Sequence, residues 1–249
     1  MSDPQAQTIA PPVSASASAA LFRAAYRLFA YFGLFSLAAV VLVGFRYDAT
    51  ASPMGYGWNA ALYAAFIIPH LIMTRSWFKR AVWHNPAGTP GERRVYITIT
   101  VLTWLAIIAV HQPMPGPAIA VHYVVRFIGV VVFLIGFMMF FEGVTRPMLD
   151  GLVGVPGSVG AYSHGPESPL FTEGQYAEVR HPMYRAFILM GLASLLVHPN
   201  VAQLFWVALF GGTFLAFIPV EEAQMIRARG EDYRSYMSQT RWRLVRGIW

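Results

Sequence analysis

The feature that most constrains this chain is a succession of six apolar runs joined by polar connections. Four are long: Leu28 to Phe45, Trp58 to Thr74, Val95 to Val110, and Tyr123 to Phe141. A bilayer core takes roughly 20 apolar residues per helix, and in lipid an open strand would leave its backbone groups unpaired. Each run therefore reads as a helix that crosses a membrane. Two further runs, Tyr184 to Val197 and Val201 to Val220, are separated only by His198, Pro199 and Asn200. That spacing predicts a tight helical hairpin whose first arm is stopped by Pro199. The first arm is short for a bilayer at about 1.5 Å per residue, so partial insertion is expected.

The expected fold is all-α: a polytopic membrane helical bundle of about six transmembrane helices, with a C-terminal hairpin and short cytoplasmic helices. The short helices are expected over Glu221 to Arg229, ending at Gly230, and over Glu231 to Ser238. Composition agrees, since 56% of the chain is hydrophobic and 12% charged, about half the charged share of a soluble domain. Residues 1–22 are rich in Ala, Ser and Pro with Asp3 as their only charge, which predicts a disordered tail before a single membrane domain over 23–249. The connection from Glu142 to Val179 is long and rich in Gly and Pro, which marks a functional or disordered loop.

A net charge of +6 would suit nucleic acid, but the cations sit in loops between the apolar runs. On a six-crossing path sixteen of the 18 Lys and Arg residues fall on one side, and only Arg46 and Arg126 on the other. The positive-inside rule then puts both termini in the cytoplasm, with no nucleic-acid partner expected. The short Arg-rich loops suggest a bacterial inner membrane. The absence of cysteine removes disulfides, thiolate ligands and cysteine nucleophiles. No two histidines stand at the helical spacing of a metal pair, so no metal is expected.

Chemistry concentrates toward the C-terminus. Arg180-His181-Pro182-Met183-Tyr184 stands where a polar loop turns into an apolar helix. Pro182 suits the first helical turn, and it holds Arg180 and His181 beside free backbone donors, a favourable place for a carboxylate. Glu221 and Glu222 adjoin the last apolar run, and their i+3 and i+4 neighbours are Gln224, Met225 and Ile226. No local cation answers them, so a partner from elsewhere in the fold is required. Tyr233 and Tyr236 share a helix face, suited to covering a cationic ligand or to anchoring at an interface. His70 lies inside an apolar run, where it can act as a proton acceptor or bond a backbone carbonyl near Pro69.

These elements, with the turn His198-Pro199-Asn200 and Gly230-Glu231-Asp232-Tyr233-Arg234-Ser235-Tyr236, follow an order and spacing that resembles the integral membrane methyltransferases. That superfamily includes isoprenylcysteine carboxyl methyltransferase and the phospholipid N-methyltransferases. The resemblance covers roughly residues 171–240. Upstream, Pro69-His70-Leu71-Ile72-Met73-Thr74-Arg75, Phe78-Lys79-Arg80 and Glu92-Arg93-Arg94-Val95-Tyr96 resemble the branch of methanethiol S-methyltransferases and nitric-oxide-reductase-associated membrane proteins. Pro69-His70-Leu71 stands where that branch commonly shows Gln-His-Ser.

The resemblance implies S-adenosylmethionine as cofactor. Arg180, His181, Pro182, Tyr184, Glu221, Glu222, Tyr233 and Tyr236 would bind it, and His70, Arg180 and Glu222 would be the catalytic set. The implied acceptor is a small thiol, with a lipid amine or prenylcysteine carboxylate behind it, and membrane lipids are the expected surroundings. A nicotinamide-dependent membrane reductase and a non-catalytic subunit of a membrane complex are the competing expectations.

Overall fold

The computed structural model describes residues 17–84, 89–142, 146–156 and 170–249. Ten helices follow one another along them: α1 (Ala17–Val43), α2 (Met54–Met73), α3 (Ser76–Trp83), α4 (Pro90–Val110), α5 (Tyr123–Glu142), α6 (Arg146–Val153), α7 (Gln175–Glu178), α8 (Pro182–Val197), α9 (Val201–Arg229) and α10 (Glu231–Gln239). The expected all-helical membrane bundle is present. Four helices, α1, α4, α5 and α9, are long and apolar enough to cross a bilayer. Only 22–28% of the residues in their most apolar stretches are buried, so most of their apolar surface faces outward. In water that surface would be very costly; in lipid it costs nothing.

Two of the six expected crossings differ from these four. Helix α2 is 20 residues long, but Asn59, His70 and three tyrosine or tryptophan residues dilute its apolar character. Helix α8 has 16 residues, about 24 Å at the helical rise and shorter than the hydrocarbon core. It compensates by packing more extensively on α5 than any other helix pair packs. Gly129 and Gly136 make this possible, because a Cβ at either would stand 2.8 Å from Leu196 Cβ or 3.0 Å from Met190 Cγ. Small residues at close crossings are the usual device where lipid supplies no hydrophobic drive.

Three boundaries depart from the sequence reading. Helix α1 starts at Ala17, so the last six residues of the expected tail are helical, while residues 1–16 lie outside those described. Glu221 to Arg229 is not a separate helix but the continuation of α9 through Pro219. An apolar helix tolerates an internal proline when its neighbours hold the backbone in place. It ends at Gly230, whose φ of +57° favours glycine and whose N–H bonds Ile226 O at 2.9 Å. Of the long loop, residues 143–145 and 157–169 lie outside the described residues. Its described parts include α6 and α7, held to α1 and the C-terminal region by Arg27–Asp150 at 2.8 Å and by Tyr236 Oη to Tyr176 O at 2.8 Å.

The hairpin forms where expected. Helix α8 ends at Val197, His198 donates to Leu42 O at 2.9 Å, and the Asn200 side chain caps Gln203 N at 3.0 Å. The two arms therefore return the chain to the end where α8 began. At that end lie α3, α6, α7 and α10; Arg46 and Arg126 flank the ends of α1 and α5 at the other.

Candidate functional site

Val179 is extended, and Arg180 and His181 continue into the proline-started first turn of α8. What fixes them is the chain's last segment. Arg180 N donates to Trp242 O and His181 N to Arg243 O, both at 2.9 Å. The Arg180 guanidinium adds Thr240 O at 2.8 Å and Arg241 O at 2.7 Å. Two residues thus engage four successive carbonyls, a rigid support for the side chains beyond.

The partner that Glu222 lacks on its own helix comes from this support. Arg180 Nε lies 2.6 Å from Glu222 Oε1, and the two side chains are 5% and 3% exposed. His181 Nε2 donates to the same oxygen at 3.2 Å, and Arg243 Nε reaches Oε2 at 3.0 Å. A carboxylate shared by three donors is held ionised and fixed. Arg243 was not singled out by any local pattern, since it stands twenty-one residues from Glu222 and no motif joins them.

Glu221 faces differently. Its Oε2 accepts from Tyr184 Oη at 2.6 Å and lies 3.8 Å from His181 Nδ1, too long for a hydrogen bond. Its side chain is 27% exposed. The rings of His181 and Tyr184 stack at 5.5 Å and 7°, and Tyr184 stacks in turn on Phe214 at 5.0 Å. Tyr233 and Tyr236 are buried, with ring centroids 5.8 Å apart. Burial raises both phenol pKa values above their ordinary range, so both hydroxyls stay protonated. Tyr236 spends its hydroxyl on Tyr176. Tyr233 lines the cavity beside it.

That cavity has a volume of about 420 Å³ and a mostly apolar lining. Arg180, His181, Pro182, Tyr184, Glu221, Tyr233 and Tyr236 all line it, and Glu222 does not. The same cavity extends into the bundle to His70. His70 Nδ1 lies 3.1 Å from Thr100 Oγ1, which donates its own proton to Tyr96 O at 2.8 Å. Nδ1 therefore carries the hydrogen, and Nε2 accepts from the Tyr96 hydroxyl. His70 is bonded to side chains of α4 rather than to a backbone carbonyl near Pro69.

Between α2 and α9 the cavity is bounded by Phe66 against Phe210, at 6.0 Å, and by Phe217, whose ring carries the Arg75 guanidinium 4.7 Å above it. Neither pair has a local sequence signal, because each joins residues more than a hundred positions apart. Among the described residues no group of three His, Asp or Glu side chains comes together as a metal site.

Comparison with protein-family models, with curated proteins and with solved structures finds no match.

Proposed function

We propose that the protein is an S-adenosylmethionine-dependent integral membrane methyltransferase. The observation that carries this reading is the single cavity joining the Arg180, His181 and Glu221 cluster to His70. Its volume lies in the range of pockets that hold a small cofactor. Its polar end offers a carboxylate, a guanidinium and a phenol within one patch, the set that suits an amino-acid zwitterion. The residues therefore fit the cofactor that the sequence resemblance implies, whose sulfonium, when bound, makes its methyl group electrophilic.

In this reading Glu221 takes the ammonium, Arg180 and Tyr233 take carboxylate or hydroxyl oxygens, and Pro182, Tyr184 and Tyr236 shape the walls. Glu222 does not touch the ligand; it positions Arg180 and His181. The acceptor lies toward His70, among the apolar side chains of α1, α2 and α4. As a thiol or amine acceptor loses its proton, the Tyr96 hydroxyl receives it and passes its own to His70 Nε2, and the imidazolium so formed releases that proton before the next turnover. The rest of the rate comes from alignment in a site shielded from water. The acceptor is a small thiol or a lipophilic amine or carboxylate. The sixteen Lys and Arg residues that a six-crossing path puts on the site's side support its placement on the cytoplasmic face, with both termini there, in a bacterial-type inner membrane.

Calorimetry on the purified protein is the first test. S-adenosylhomocysteine should bind and NADPH should not; the reverse outcome would replace this reading with that of a reductase. Labelled methyl transfer to extracted lipids and a panel of small thiols then identifies the acceptor. Binding without transfer to any of them would favour an accessory subunit. With the acceptor in hand, His70→Ala is expected to lower turnover by about 100-fold or more, the usual contribution of a positioned base. Cofactor affinity should stay unchanged. Full turnover in that variant would assign His70 a packing role.

A further inference from the structure

Helix α3 is inside out. In a helix on the surface of a soluble protein the apolar stripe faces the core and the charges face water. Here Lys79 is 6% exposed and sits 3.4 Å from the equally buried Glu92, whereas Trp77 is 61% and Val82 50% exposed. Ala81 and Arg80 are exposed as well. The eight residues thus turn their one paired lysine inward and present tryptophan, valine and arginine outward.

The position of α3 says what lies against that face. It follows α2 after two residues and precedes α4, one of the helices apolar and long enough to span a bilayer. It starts from Arg75, held over Phe217 near the cation-rich end of α9. It therefore lies where the apolar belt of the bundle meets its polar end. Tryptophan is enriched at that depth, and short amphipathic helices lie there in the membrane plane.

We propose that α3 docks in the headgroup layer of an anionic bilayer, with Trp77 and Val82 in the acyl boundary and Arg80 against lipid phosphate. The charge complementarity is with a leaflet of negative surface potential, which attracts exposed arginines. This surface is independent of the methyltransferase reading and stands or falls apart from it.

The chain has no cysteine, so Val82→Cys provides a single labelling site for an environment-sensitive fluorophore. Leu134→Cys, on the outer face of α5, serves as the deep reference, and Asp48→Cys, in an exposed loop, as the aqueous one. The labelled full chain is placed in nanodiscs of phosphatidylcholine with phosphatidylglycerol. At position 82 the emission should be blue-shifted from that at 48. Lipids brominated near the headgroup should quench it more than lipids brominated near the chain end, with the opposite order at 134.

Adding Arg80→Gln should reduce the preference for brominated phosphatidylglycerol over brominated phosphatidylcholine by up to about fivefold, which corresponds to ~1 kcal/mol for one arginine at an anionic surface. A water-like probe at 82 would overturn the proposal. So would a blue-shifted probe that no brominated lipid quenches, since protein would then cover the face. An unchanged lipid preference in Arg80→Gln would overturn the headgroup contact.

Discussion

Glu222→Ala is expected to destabilise the protein by about 3–5 kcal/mol, the range seen when one partner of a buried ion pair is removed. The carboxylate is shared among Arg180, His181 and Arg243, and both Arg180 and Glu222 are nearly inaccessible to water. Removing it leaves one buried guanidinium without its counter-ion and frees a second, half-buried one. The cost arises from stranded charge rather than from the Coulomb energy of the intact pair, much of which is cancelled by desolvation.

Combining Glu222→Gln with Arg180→Met should recover part of the loss, because the buried guanidinium is then gone while Thr240 O and Arg241 O still lose their donor. Thermal unfolding in detergent checks both, and a fall on the order of 10 °C is expected for Glu222→Ala. Wild-type melting in that variant would mean that the three donors do not depend on this carboxylate.

Glu221→Gln should behave in the opposite way. Its side chain is partly exposed and bonded only through Tyr184 Oη within hydrogen-bond distance, so melting should change little. Affinity for S-adenosylhomocysteine should fall by roughly 10- to 100-fold, corresponding to the ~1.5–3 kcal/mol of a hydrogen bond to a charged group. Calorimetry on the two variants separates the adjacent glutamates: a ligand contact at Glu221, and a support at Glu222 whose loss weakens folding and binding together. Unchanged affinity in a folded Glu221→Gln protein would remove Glu221 from the proposed contact.

The two glutamates show how far a sequence carries such a site. Their empty i+3 and i+4 positions already demanded a distant partner, and the hairpin already returned the chain to Arg180. Which of the two would face inward was not legible. Adjacent residues on a helix point about 100° apart, and only the packing of α9 against α8 and the last segment selects the buried one. His70 is a similar case. Its place inside an apolar run marked it for attention, but its partners Tyr96 and Thr100 lie on α4, and their register against α2 is set by tertiary packing.

The membrane bundle was determined by the sequence itself, because hydrophobic length and helical period are local properties and lipid admits few alternatives. Local chemistry also marked the hairpin at His198 to Asn200, the proline-started turn at Pro182 and the stop at Gly230. The tertiary structure decided what depends on chain segments far apart. It joined α9 through Pro219, turned the lysine of α3 inward to Glu92, and brought Arg243 to Glu222. It also merged the C-terminal cluster and His70 into one cavity. The two ion pairs follow from the cost of leaving a buried charged group unpaired, and that cost is fixed only when distant segments meet.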